Sequence, residues 1–251
     1  VSVRLKCLAP RPMATLRLLC LPFAGAGAGV FRGWGDALPA HVEAFAVQLP
    51  AREDRLADPP LVDWAAMRDA LLAAIDALPP QRTAIFGHSL GAVIGFDLAH
   101  ALQRRGTSPI DHLFVSARPW PGRAPDPPVP AWPAGDDALL AATDRRFGSL
   151  GTSLSHPDIR AVVLPALRAD LCLLDDYHYA PGAVLDCPVT VFAGSADPST
   201  PGDTLAAWRN ATTGAFALQA FAGGHFFIET HRSEVLAALA ASLPAQARPG
   251  W

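Results

Sequence analysis

The run Gly87-His88-Ser89-Leu90-Gly91 has the form G-x-S-x-G. That pattern holds a serine hydroxyl on a sharp turn from a strand into a helix. The apolar segment Thr83–Phe86 precedes it and a helical pattern from Ala92 follows it, which is the context such a turn requires. A serine hydroxyl is a weak nucleophile, so it needs a base, and the base needs a carboxylate to orient it. With the serine first, the acid and then the histidine should follow in the chain. His225, in Gly223-Gly224-His225 after the strand-like Phe216–Phe221, is the candidate base. Asp197, in Ser195-Ala196-Asp197-Pro198 after Val189–Ala193, is the candidate acid. Each of the three groups follows a strand, so all converge on one edge of a sheet, where open α/β folds place their sites. The competing histidines are weaker: His88 reads as a packing residue inside the turn, and His231 as an exposed residue near the last helix. Among rival acids, Asp186 precedes its strand, Asp203 looks like a helix cap, and Asp170 lies in a helical stretch far from any strand.

The tetrahedral intermediate of acyl transfer carries an oxyanion, which backbone N–H groups can stabilise. Leu90, directly after the serine, should supply one. The loop Phe23-Ala24-Gly25-Ala26-Gly27, after the strand Leu16–Leu21, should supply the other, with Ala24 preferred and Gly25 as the rival. This loop is no phosphate cradle of the P-loop kind, because no Lys follows, and its glycine spacing does not match a dinucleotide fingerprint.

These residues need a scaffold. Strand-like segments at Leu16–Leu21, Val42–Leu49, Thr83–Phe86 and His112–Ser116 alternate with helical patterns at Trp64–Leu78 and Ala92–Arg104, which argues for a parallel sheet covered by helices. A Pro- and Gly-rich loop is expected over Pro119–Pro133. Helices are expected at Asp136–Phe147 and Asp158–Tyr179, the second kinked or broken at Pro165. Strands resume at Val189–Ala193 and Phe216–Phe221, with helices at Thr204–Asn210 and Ser233–Leu243. The helical stretch between Ser116 and Val189 reads as an insertion over the end of the sheet. The expected division is a core of residues 1–118 and 184–251 and an inserted lid of 119–183.

Composition excludes several classes. The 251 residues carry a net charge of −3 and no dense Lys/Arg block, so nucleic acid is not an expected partner. Hydrophobic residues make up 51%, yet no charge-free run is long enough to cross a bilayer. The N-terminal VSVRLK is not followed by the apolar stretch of a signal peptide. Cys7, Cys20, Cys172 and Cys187 show no metal spacing, so buried free thiols in a reducing, cytoplasmic setting are expected. No metal site is expected.

With these residues in hand, the chain resembles the discrete type II thioesterases of polyketide and nonribosomal peptide pathways, which have the α/β-hydrolase fold. The resemblance runs through LCLPFAGAGAGVFRGW (Leu19–Trp34), LPAREDR (Leu49–Arg55), FGHSLGA (Phe86–Ala92), FVSARPWPG, LPALRADLCLLDDYHY, LDCPVTVFAGSADP and FAGGHFF. It implies Ser89, Asp197 and His225 as the triad, Ala24 and Leu90 as oxyanion donors, and a helical lid that forms an acyl pocket. It implies hydrolysis of acyl groups from the phosphopantetheine arm of an acyl or peptidyl carrier protein. The carrier would dock transiently on a monomer, and the enzyme would need no cofactor of its own. A general carboxylesterase or lipase of the same fold is the alternative. The chain departs from the family in its AGAGAG run and in Ala51 and Ala117, where the family often has Gly.

Overall fold

The computed structural model describes residues 2–106, 109–122, 135–148, 156–180, 184–201 and 204–244. Along the chain these form β1 (Arg4–Cys7), β2 (Leu16–Leu21), α1 (Trp34–Ala37), β3 (Val42–Gln48), α2 (Trp64–Asp76), β4 (Arg82–His88), α3 (Leu90–Arg105) and β5 (Ile110–Ser116). There follow α4 (Asp136–Phe147), α5 (Pro157–Asp176), β6 (Val189–Gly194), β7 (Phe216–Phe221), α6 (Phe227–Thr230) and α7 (Arg232–Ser242). The seven strands make one sheet in the order β1-β3-β2-β4-β5-β6-β7. Only β1 runs antiparallel.

Both faces of the sheet are covered, which is why the inner strands are mostly apolar on both faces rather than at alternate positions. Every residue of β2 and β6 is buried. Leu19, Leu21, Ile85, Leu113, Val115 and Val191 pack under α2 and α3 on one face. Leu18, Cys20, Ala84, Phe86, Phe114 and Phe192 pack under α1, α6 and α7 on the other. The expected parallel sheet with flanking helices is therefore what forms, with β4 at its centre.

The structure departs from expectation at four points. The edge strand β1 was not anticipated: RLKC alternates charged and apolar residues along an exposed edge, and it is too short to register as a pattern by itself. Helix α5 runs through Pro165 as one element, because apolar side chains on its inner face hold the turns on both sides against neighbours. Not all four thiols are buried: all are free, but Cys7 and Cys172 are exposed, and only Cys20 and Cys187 lie in the core. Cys7 sits on the edge strand and Cys172 on the outer face of α5. The segment expected to be helical at Thr204–Asn210 is a 3₁₀ helix at Ala206–Ala211. The rival acid Asp203 and most of the Pro-rich loop lie outside the described residues.

Between β5 and β6, α4 and α5 form a small apolar cluster of their own. Leu139, Leu140 and Phe147 from α4 meet Leu164, Leu167 and Leu171 from α5, and Ala24 and Phe226 of the sheet edge pack against them. Arg160 pairs with Asp137 at 2.5 Å and Arg168 with Asp136 at 2.7 Å on the solvent side. Asp176, the last residue of α5, accepts the Trp64 N–H at 3.2 Å and ties the pair to α2.

Candidate active site

Ser89 lies between β4 and α3 with φ 56° and ψ −113°. A non-glycine residue in that region is strained, and the strain is held by its neighbours. A Cβ at Gly87 would strike the Gly91 carbonyl, and one at Gly91 would strike the Leu21 carbonyl, so the turn closes only with glycine on both sides. The Ser89 N–H donates to the Ser116 carbonyl at 2.8 Å, fastening the turn to β5.

The structure brings the three sequence candidates together. The Ser89 hydroxyl lies 2.9 Å from His225 Nε2, and His225 Nδ1 lies 2.8 Å from Asp197 Oδ2. All three are buried. A Gly194 Cβ would strike the Gly224 carbonyl, so the loops after β6 and β7 approach closely enough for the imidazole to reach the carboxylate. Burial pushes the Asp197 carboxyl up, but hydrogen bonds from His225 and from Ser199 outweigh it and hold the group below its ordinary range. Ser199 gives both its N–H, at 2.8 Å, and its hydroxyl, at 2.7 Å, to Asp197 Oδ1. Asp197 is thus an ionised acceptor with both oxygens engaged. Sequence reasoning missed Ser199, although an Asp followed two residues later by Ser is a known local turn signal.

His88 is a buried packing residue, as expected. Its Nδ1 lies 2.8 Å from Ser116 Oγ, and its ring centroid is 5.3 Å from that of His225. Burial first, and the His225 charge second, push its pKa well down. A neutral ring here does not oppose positive charge on His225 during turnover. Asp186 is exposed at the far end of β6, where its N–H donates to Gln103 Oε1 at 3.0 Å. His231 pairs locally with Thr230 at 2.9 Å. Neither approaches Ser89.

The loop after β2 is held by side chains. Gln48 Oε1 accepts the Ala28 N–H at 2.7 Å, Glu53 Oε1 accepts the Gly29 N–H at 2.8 Å, and Arg52 Nη1 donates to the Ala26 carbonyl at 3.0 Å. Glu53 crowds Gly27, where a Cβ would run into its carboxylate. The rival oxyanion donor is already committed, since the Gly25 N–H donates to Asp170 Oδ2 at 2.7 Å. Ala24 remains, and it lines a cavity with Ser89, His225, Thr143, Phe147 and Leu167. Leu90, at the first turn of α3, stands where helical N–H groups have no partner within the helix. The cavity has a volume of about 10 Å³, room for about one water molecule. The two departures from glycine carry a cost: Ala51 has φ 62° and Ala117 φ 52°, a region glycine occupies freely.

Residues 16–243 match the model of the thioesterase domain family. The chain is 40% identical over 228 residues to Thioesterase PikA5 of Streptomyces venezuelae, covering 90% of this chain and 80% of that protein. It is 33% identical to Gramicidin S biosynthesis protein GrsT of Aneurinibacillus migulanus, covering 89% and 87%. Among solved structures, the type II thioesterase BorB from the borrelidin biosynthetic cluster superposes with a TM-score of 0.83 at 34% identity, covering 95% of this chain and 96% of that one.

Proposed function

The chain belongs to the thioesterase domain family, and on that premise we propose that it hydrolyses acyl groups from the phosphopantetheine arm of an acyl or peptidyl carrier protein in polyketide or nonribosomal peptide synthesis. Similarity to PikA5, GrsT and BorB supports the pathway class. The continuous hydrogen-bonded line from Ser89 through His225 to Asp197 is the observation that carries the chemistry.

Ser89 Oγ attacks the thioester carbonyl carbon while His225 Nε2 takes its proton. The carbonyl oxygen becomes an oxyanion facing the N–H groups of Ala24 and Leu90. Asp197 holds the imidazole in the tautomer with a proton on Nδ1 and stabilises the imidazolium. Collapse breaks the carbon–sulfur bond. The thiol leaves with the proton from His225, and Ser89 keeps the acyl group as an ester. A water then gives its proton to His225 and attacks that ester, releasing the acid and restoring the serine. Side chains and backbone of this chain supply each step, and the arm that bears the substrate belongs to the carrier. Helices α4 and α5 act as the lid and line the acyl pocket. The enzyme works as a monomer, docks its carrier transiently, and sits in the cytoplasm, where exposed Cys7 and Cys172 stay reduced.

The experiment compares one acyl group on three leaving groups: a carrier protein, a small thiol and an alcohol. Contacts to the arm and carrier are remote from the carbonyl and can lower the barrier, so kcat/KM should be highest for the carrier. Ser89→Ala should be inactive toward all three. A win for the oxygen ester, or no gain from the carrier, would transfer the chain to the general esterases.

A further inference from the structure

Asp170 lies on α5, 145 residues along the chain from the loop it touches, and it is almost fully buried at 1% exposure. Its Oδ2 accepts the Gly25 N–H at 2.7 Å and Arg52 Nη1 at 2.6 Å, and its Oδ1 accepts Arg52 Nη2 at 2.8 Å. The Arg52 guanidinium, 5% exposed, also donates to the carbonyls of Ala26 and Pro50, each at 3.0 Å. One carboxylate and one guanidinium therefore hold the main chain just after Ala24, at the N–H of the Ala24–Gly25 peptide and at the Ala26 carbonyl. Gly25 itself has φ 80°, a conformation that needs an external hold if it is to stay single. Leu167, one turn before Asp170 on α5, presses on the same glycine, with a contact at 3.3 Å for a Cβ built there.

We propose that Asp170, through Arg52 and the Gly25 N–H, is a positioning residue that sets the Ala24 N–H in its oxyanion-binding orientation. Helix α5 then does more than cover the pocket, because the loop that stabilises charge is complete only while α5 is seated. A buried ion pair is weak support for stability in itself, since desolvation offsets much of the attraction. Its two-point geometry instead fixes direction, which is what an oxyanion donor requires. The inference rests on the hydrolytic role proposed for Ser89.

The test uses Asp170→Asn and Arg52→Lys in the full chain, with Ser89→Ala alongside. Asp170→Asn keeps the volume and an acceptor for Gly25 but removes the charge. Arg52→Lys keeps the charge and loses the fork. Activities are taken per folded molecule, with folded fraction read by circular dichroism. Displacement of a donor by a fraction of an ångström should lower kcat about 10- to 100-fold in Asp170→Asn, with KM within about threefold. Arg52→Lys should show a smaller loss of the same kind, and it decides the matter alone if Asp170→Asn does not fold. The second readout is a boronic acid, which forms a tetrahedral anionic adduct on the serine. Its affinity should weaken in step with kcat/KM. Loss of activity that vanishes once folded fraction is counted, or unchanged boronate affinity, would make the pair a structural tie only and overturn the proposal. Full activity in Ser89→Ala would instead remove the hydrolytic reading beneath it.

Discussion

Asp197 and Asp186 are eleven residues apart on either end of one strand, and only the first can orient His225. Asp197→Asn should lower kcat by about four orders of magnitude, because an amide favours the wrong imidazole tautomer and cannot stabilise the imidazolium. Asp186→Asn, exposed at the opposite edge, should change kcat less than about twofold. Steady-state kinetics on a small thioester decide between them, and equal losses would mean the acid has been misassigned. The triad was legible in the sequence because each member lies in or just after the turn that follows a strand, and parallel strands end at a common edge. Ser199 was not, since its value comes from the second oxygen of Asp197, and one sequence does not show which carboxylate oxygens are spoken for. Ala24 was preferred over Gly25 from the sequence, but the partner that engages the Gly25 N–H, Asp170, was not legible there.

Helices α4 and α5 differ in how they meet the sheet edge. Helix α5 is fastened by Asp170 to Arg52 and by Asp176 to the start of α2. Helix α4 reaches the site through Phe147, whose ring centroid stands 4.8 Å from that of His225 and which lines the cavity beside Ser89. Phe147→Ala should widen the pocket beside His225. The expected result is a rise of about tenfold in kcat/KM for long acyl chains relative to short ones, in line with 1–3 kcal/mol per methylene of apolar contact. A stability cost of about 3 kcal/mol should accompany it. An acyl-length series at fixed carrier measures the first and urea unfolding the second; a flat ratio would mean the acyl chain runs elsewhere. Apolar residues at helical spacing made α2 and α5 readable. Strand β1 escaped because an exposed edge imposes little pattern, and the continuity of α5 escaped because local proline chemistry argues for a break that packing on Leu164, Leu167 and Leu171 overrides.

Over the whole molecule, the least legible feature is pairing at long range. Arg52 and Asp170 are 118 residues apart, and nothing in their local patterns announces that they meet. The same burial that builds such contacts leaves histidines in places where they cannot take a proton, and acid stability follows. His112 is stacked on Phe114 at 4.1 Å and bonded to Thr190 at 2.8 Å, with its pKa lowered by burial from 6.5 to about 4. His88 is shifted the same way, chiefly by burial. Between 6.5 and about 4 the unfolded chain therefore binds a proton at His112 that the native chain does not, and His88 acts in the same direction. Stability must then rise with pH across that window and fall on acidification, by up to about 1.4 kcal/mol per pH unit for each group. Asp197, whose pKa is held below its ordinary 3.8, contributes stability that is lost only at lower pH, so it does not shape this window. Taking pH from about 7 to about 5 should cost about 2 kcal/mol from His112, with His88 acting in the same direction. His112→Gln removes its share and should cut the acid loss by about 2 kcal/mol, whatever it does to stability at neutral pH. Urea unfolding of parent and variant at the two pH values gives the comparison. An equal acid loss in both proteins would show that His112 takes up its proton without unfolding, and that the acid sensitivity has its source elsewhere.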